Sequence, residues 1–460
     1  MASQSLPSER PDANRSFLIG PAITLGFGGT LIVGVTSWTL LLLNRNLPLM
    51  VVGAFCAGAF FAWGIWVLRR VRHAGVASGA LGGAIAAACS LLFTGSLIVR
   101  QPGTIEALEG QQNRIDPAGL GAGAIISVAF VALGALAATL APSVRDRIID
   151  WRARFAWIAA ASYLPLVLVG GIVTGTESGL AVPDAVTTYG SVSILFPLSL
   201  MDEPRIYLEH SHRIFGTFAG LATIALVVWM FASRARVLPR VLSVVLLIGV
   251  VAQGVMGALR VSEESQALAA LHGVLAQLVF ALAISIGVIG AHRWWMAAPG
   301  DEGRRLARGA RLFFVLAAAS LVVQLVFGSL TRHTASDHPL LGHIGFSFVV
   351  TILVIIAGAK AIRAGKGDNA CGPIRPYGGI IHGVVVLQFT LGWVALAMTR
   401  TGLTEHAPIP RADELSTAHG IRVWETIVTS SHHVLGALLI GSVAAGLVWA
   451  IRLAKTPRTG

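Results

Sequence analysis

Apolar runs near twenty residues long recur along the whole chain, and that recurrence leaves few folds open. A helix of about 20 residues crosses a ~30 Å hydrocarbon core with every backbone hydrogen bond made internally, which no open sheet or irregular segment can do. Twelve spans are predicted: Phe17–Leu43, Leu49–Leu68, Val76–Val99, Leu120–Leu140, Phe155–Thr174, Ile206–Phe231, Val241–Leu259, Ala267–Ala291, Leu312–Thr331, Pro339–Ala361, Tyr377–Met398 and Ile427–Ile451. With 55% hydrophobic and 12% charged residues, the expectation is an all-α polytopic membrane protein.

A net charge of +12 would suit a nucleic-acid partner if it were gathered in one patch. Instead, 24 of the 34 Lys and Arg residues fall in alternate connections and at the two tails. Short cytoplasmic loops concentrate such residues, so both termini are expected in the cytoplasm. The polar N-terminal tail carries Glu9 and Asp12 and has no short apolar core, unlike a cleaved signal or a transit peptide. A bacterial plasma membrane is the expected location. The three cysteines, Cys56, Cys89 and Cys371, lie in spans or on an inner loop, so no outer disulfide is expected.

Histidine divides the chain. His73 stands alone in the first four spans, and the other twelve of the 13 all follow residue 200. Residues 1–150 are expected to form a four-span packing unit, its Gly- and Ala-rich helices suited to close approach. Residues 151–300 and 301–460 are expected to be two pseudo-repeated four-helix bundles. The repeat is weak but readable: Gln253-Gly-Val-Met-Gly257 before His272 echoes Gln388-Phe-Thr-Leu-Gly392 before His432, and Val169-Gly-Gly-Ile-Val173 before His212 echoes Phe327-Gly-Ser-Leu-Thr331 before His343.

On the expected topology, His212, His272, His343 and His432 each fall near the outer start of an even-numbered helix of their bundle. Imidazoles at one depth on facing helices are how a bundle holds a metal centre. Each is followed one turn later by a small residue, Gly216, Ala276, Ser347 or Gly436, and a flat macrocycle needs such space, which favours heme over a bare ion. His433 competes with His432, since Ala437 is equally small. Glu209 and His212 share a helix face at i and i+3. Glu209 suits a proton acceptor or a stabiliser of developing positive charge, though a carboxylate there also answers the helix dipole. Arg213 suits a propionate partner or an interfacial cation, and His210 an interfacial or supporting place beside the ligand. His292, His333, His338, His382, His406 and His419 are weaker candidates.

These residues resemble the heme A synthase family. The resemblance rests on Gly170-Gly-Ile-Val-Thr-Gly-Thr-Glu-Ser-Gly-Leu-Ala-Val-Pro-Asp184, Glu209-His-Ser-His-Arg213, Gln253 and Gly257 with His272, then His343, and His432-His-Val-Leu-Gly-Ala437, over about Phe155 to Ile451. It implies an oxidoreductase that converts the C8 methyl of heme O to the formyl of heme A, with water as oxygen source. It further implies substrate heme O between His212 and His272, a permanent heme b between His343 and His432, and Glu209 as catalytic carboxylate. Heme O synthase and cytochrome oxidase assembly factors are the protein partners it suggests, with lipid around the chain and no nucleic acid. Ala185 stands where the pattern has Trp, the outer-loop cysteine pair of some members is absent, and the first four spans lie outside the family core. Two other classes compete. A diheme cytochrome b passing electrons from quinol explains the histidines but not Glu209, and a heme-free transporter would place its ionisable groups at mid-membrane.

Overall fold

The computed structural model describes residues 13–45, 47–69, 75–108, 110–141, 149–334, 337–400 and 409–455. Glu9, Asp12, His73 and His406, each used above, lie outside them. Among the described residues there is no strand beyond two isolated bridges, Val99 with Ile115 and Thr188 with Ser191. The α-helices run in the order α1 (Ala13–Leu43), α2 (Leu49–Leu68), α3 (Val76–Thr94), α4 (Pro117–Leu140), α5 (Trp151–Ala161), α6 (Tyr163–Gly175), α7 (Pro204–Ala232), α8 (Val237–Ser262), α9 (Gln266–Ile289), α10 (His292–Met296), α11 (Asp301–His333), α12 (Asp337–Gly367), α13 (Arg375–Arg400) and α14 (Val423–Leu453). Among the described residues, twelve stretches are long and apolar enough to cross a membrane, with α5 and α6 together forming one of them. The chain is therefore an all-α, multi-pass membrane protein.

Local chemistry sets several of the starts. Asp116 accepts from Gly119 N at 2.8 Å with Pro117 at the first helical position, Asp150 accepts from Ala153 N at 3.1 Å, and Ser265 accepts from Leu268 N at 3.3 Å. Each satisfies one of the amides that a helix N-terminus leaves bare. The fifth span departs from its prediction: it begins at Trp151 and is broken at Ser162. Pro165 has no N–H to give to the preceding turn, and the Ser162 hydroxyl turns back to Ala159 O at 2.7 Å. The ninth span also starts earlier, at Asp301 rather than Leu312, because acidic Asp301 and Glu302 favour a helix N-terminus.

Helices α3 and α4 approach closely, as their small residues predict: a Cβ at Gly79 would strike the Gly134 carbonyl, and one at Gly83 the Phe130 carbonyl. One apolar core runs from Leu25, Phe60 and Phe130 of the first four spans into Phe155, Phe218 and Val279 of the next four. A second joins α9 to α11, α12, α13 and α14 around Phe314 and Trp449. A third closes the connection between α6 and α7 over Trp38, Phe196 and Phe215.

Candidate functional site

Helix α7 is divided lengthwise. Tyr207, His210, Ile214, Phe215 and Phe218 turn toward the first four spans, where the Tyr207 hydroxyl donates to Trp38 O at 3.0 Å and Phe215 stands edge-on to Trp38, 6.1 Å between centroids. The Arg45 guanidinium lies 3.7 Å over the Tyr207 ring. His210 belongs to this face, with its ring 5.6 Å from that of Phe196. It lines a crevice of about 50 Å³ with Trp38, Phe93 and Ser211. Glu209, His212 and Arg213 occupy the rest of the circumference.

The structure brings the four singled-out histidines together in two pairs. The centroids of His212 and His272 are 6.4 Å apart at an interplanar angle of 70°, and those of His343 and His432 are 6.2 Å apart at 76°. Each ring lies against a glycine on the helix that precedes its own. A Cβ at Gly170 would sit 3.0 Å from His212 Cε1, at Gly257 3.5 Å from His272 Cε1, at Gly328 2.9 Å from His343 Cε1, and at Gly392 3.1 Å from His432 Cε1. The sequence showed these glycines as repeat positions without showing their use. The small residues one turn beyond the histidines do something different, since Gly216 opens toward Leu166 and Gly436 toward Gln388.

Four residues before three of those glycines stands a glutamine. Gln253 Nε2 donates to His272 O at 3.1 Å and Gln324 Nε2 to His343 O at 2.8 Å. Gln388 instead meets the His432 ring, Nε2 to Nε2 at 3.2 Å. His343 Nδ1 lies 3.2 Å from Gln324 O, and since a carbonyl only accepts, Nδ1 carries the proton and Nε2 keeps its lone pair for a ligand. His433 points away from this pair, with Cδ2 3.2 Å from the Cβ position of Gly171 on α6.

Glu209 is buried at 5% exposure, with Oε1 accepting from Arg213 Nε at 3.2 Å. Its other oxygen, Oε2, is buried without a partner. Arg213 Nη1 donates to the carbonyls of Asp184 and Thr187, at 2.7 and 2.8 Å, so this guanidinium clamps the α6–α7 connection onto Glu209. The connection holds its own shape through Asp184, which accepts from Thr187 Oγ1 at 2.6 Å and Gly190 N at 2.7 Å. Ala185 follows within it. Burial, with the Asp184 and Glu203 carboxylates adding, pushes the Tyr189 phenol up to about 12, so it stays a donor to Ala181 O at 2.9 Å.

Two cations at this end were not singled out in the sequence. Arg260, in the last turn of α8, acts on both His212 and His272 and donates to Gly179 O at 3.2 Å. Arg332, in the last turn of α11, donates to Thr174 O at 2.5 Å and faces Glu177 at 3.8 Å, with His419 3.4 Å from the other Glu177 oxygen. Both end helices whose histidine-facing glycine lies three or four residues earlier, a spacing visible in the sequence. Of the weaker histidines, His382 lies toward the opposite end with Nε2 2.8 Å from Ile355 O, and His292 N is bonded to Asp150 at 2.7 Å.

Facing histidine pairs suit a planar metal-bearing ring. A metal–imidazole bond is about 2 Å, which puts the centroids of two rings bound on opposite faces roughly 6 Å apart. The measured separations fit that span, and the glycine seats leave the rings free of side-chain contact on one side. Among the described residues no group of three or more His, Cys, Asp and Glu is placed to enclose a bare ion.

The fold and site thus define a multi-pass helical membrane protein with two facing pairs of half-buried histidines. Residues 153–340 match the family model COX15-CtaA, described as cytochrome oxidase assembly protein. The matched segment holds Glu209, His212 and His272 and ends before His343. No curated protein and no solved structure matches the chain.

Proposed function

We propose that the chain is a heme A synthase, oxidising the C8 methyl of heme O to a formyl group with oxygen taken from water. The observation that carries the reading is Glu209 Oε2, a buried carboxylate oxygen without a partner on the same helix face as His212, which itself faces His272. Residues 151–300 are the substrate bundle, residues 301–460 the cofactor bundle, and residues 1–150 a supporting unit. His212 and His272 hold the substrate heme, and His343 and His432 a heme b. The nearby cations Arg260 and Arg213 answer the propionates.

Converting a methyl to a formyl with one net water releases four protons and four electrons. Glu209 is the group placed to receive protons and to face the positive charge that grows on the carbon as electrons leave. Arg213 holds it by one oxygen only, so the carboxylate is oriented while Oε2 stays open. The connection that Arg213 clamps lies over the site and limits water to what the reaction uses. A heme b in the second bundle supplies a one-electron relay.

In the membrane, the basic connections face the cytoplasm, both termini with them, and the histidines lie toward the outer surface of a bacterial plasma membrane. Heme O synthase and oxidase assembly factors are the partners that would deliver substrate and receive product. Co-expression with a heme O synthase in a host lacking heme A, followed by heme extraction, tests the reading. Heme A or hydroxylated heme O is expected, and their absence from stably inserted protein would defeat it.

A further inference from the structure

At the end of the molecule remote from the paired histidines, the ends of α11 and α12 and the flank of α13 form an open cleft of about 610 Å³. Its rim carries Arg363 and Lys366, both exposed and neither making a hydrogen bond or short ion pair with a described residue. The acidic groups near it are committed elsewhere. Glu302 is held two-pronged by Arg305 at 2.8 and 2.7 Å, and Asp368 accepts from Gly300 N at 2.9 Å and Ala370 N at 2.7 Å. Glu302 also lines the cleft within electrostatic reach of Arg363, so the rim keeps a positive excess, with Arg305, Arg363 and Lys366 against that one carboxylate.

The wall changes character with depth. Lys366 and Arg363 stand at the helix end, Ile362 and Ala359 follow along α12, and Leu306 lies one turn deeper than Glu302 on α11. At 1.5 Å per residue, the step from Lys366 to Ala359 covers about 10 Å along the helix axis, from the polar interface into apolar depth. His382 lines the α13 side, with Nε2 2.8 Å from Ile355 O.

We propose that this cleft binds an anionic phospholipid, its phosphate between Arg363 and Lys366 and the start of its acyl chains against Leu306, Ile362 and Ala359. The anion alone would need only the two cations, and the apolar wall behind them is what selects a lipid over free phosphate. Each cation near a membrane surface contributes roughly 1 kcal/mol toward an acidic headgroup, so losing both costs about tenfold or more in affinity. The proposal stands independently of the heme reading.

Purified full-length protein in neutral detergent, stripped of lipid and titrated with phosphatidylglycerol under native mass spectrometry, tests it. Phosphatidylglycerol is expected to form a saturable one-to-one adduct that phosphatidylcholine does not match. The Arg363→Gln/Lys366→Gln variant should weaken that adduct about tenfold, and Arg69→Gln, just past the end of α2, should leave it unchanged. Single variants at Arg363 and Lys366 give the same reading at smaller amplitude if the double variant accumulates poorly. Equal binding of phosphatidylcholine, an unchanged double variant, or displacement of the lipid by inorganic phosphate at the same concentration would overturn the proposal.

Discussion

At the scale of single residues, the decisive contrasts lie between neighbours. His432 faces His343 while His433 packs toward Gly171, so the two adjacent imidazoles have separate environments that their shared sequence context hides. Replacing His432 with Ala is expected to abolish the low-spin bis-histidine spectrum of the second bundle, whereas His433→Ala should keep it. Magnetic circular dichroism of the purified protein distinguishes them, and equal spectra would refute the assignment. Arg213 was read as a propionate partner or an interfacial cation, and its bonds show a third employment, holding the α6–α7 connection to Glu209. Arg213→Ala leaves a buried carboxylate without its cation, a change that typically costs about 3–5 kcal/mol. The expected result is a clearly lower thermal midpoint together with faster proteolysis of the connection, and an unchanged midpoint would argue against the clamp.

At the scale of helix pairs, glycine and histidine act across the contact. The sequence reading sought room for a ring one turn along the histidine's own helix, and the structure puts it on the preceding helix, at Gly170, Gly257, Gly328 and Gly392. That difference has a physical cause: which residue faces a side chain is fixed by the register of two antiparallel helices, and register is a tertiary property. Periodicity within one helix shows Glu209 and His212 on one face but not what stands opposite. The same holds for Arg260 and Arg332, whose meaning depends on which helix ends share a surface. The break at Ser162 was within reach of the sequence, since Pro165 signals it. Gly328→Ala forces its new methyl against the His343 ring, where a Cβ would stand 2.9 Å from Cε1. Heme content per chain is expected to fall by about half, read from the pyridine hemochrome spectrum. Gly53→Ala, with nothing within 4 Å of its Cβ position, is the matched control and should retain full occupancy.

At the scale of the whole molecule, the first four spans share an apolar core with the helices that carry the site. Phe27 packs edge-on to Phe155 with centroids 5.4 Å apart, and Phe93 meets Phe215 at 5.2 Å. Sequence showed that unit as poor in chemistry, and composition alone gave no sign of where it would dock. A chain beginning at residue 149 would leave Phe155, Phe215 and Phe218 bare on one side of α5 and α7, and it is expected to accumulate poorly or to aggregate on extraction. Monodisperse elution of that truncated chain in size-exclusion chromatography would contradict the shared core.

The central claim is that Glu209 serves oxidation of a heme rather than passage of electrons through two permanent ones. Its most direct test is the heme complement extracted from Glu209→Gln beside the wild type, both made with a heme O synthase. Wild type should yield heme A or hydroxylated heme O, and Glu209→Gln should keep its Soret absorbance and bound heme O while product falls by about a hundredfold or more. Equal product from both proteins, or no product from either, would contradict the account.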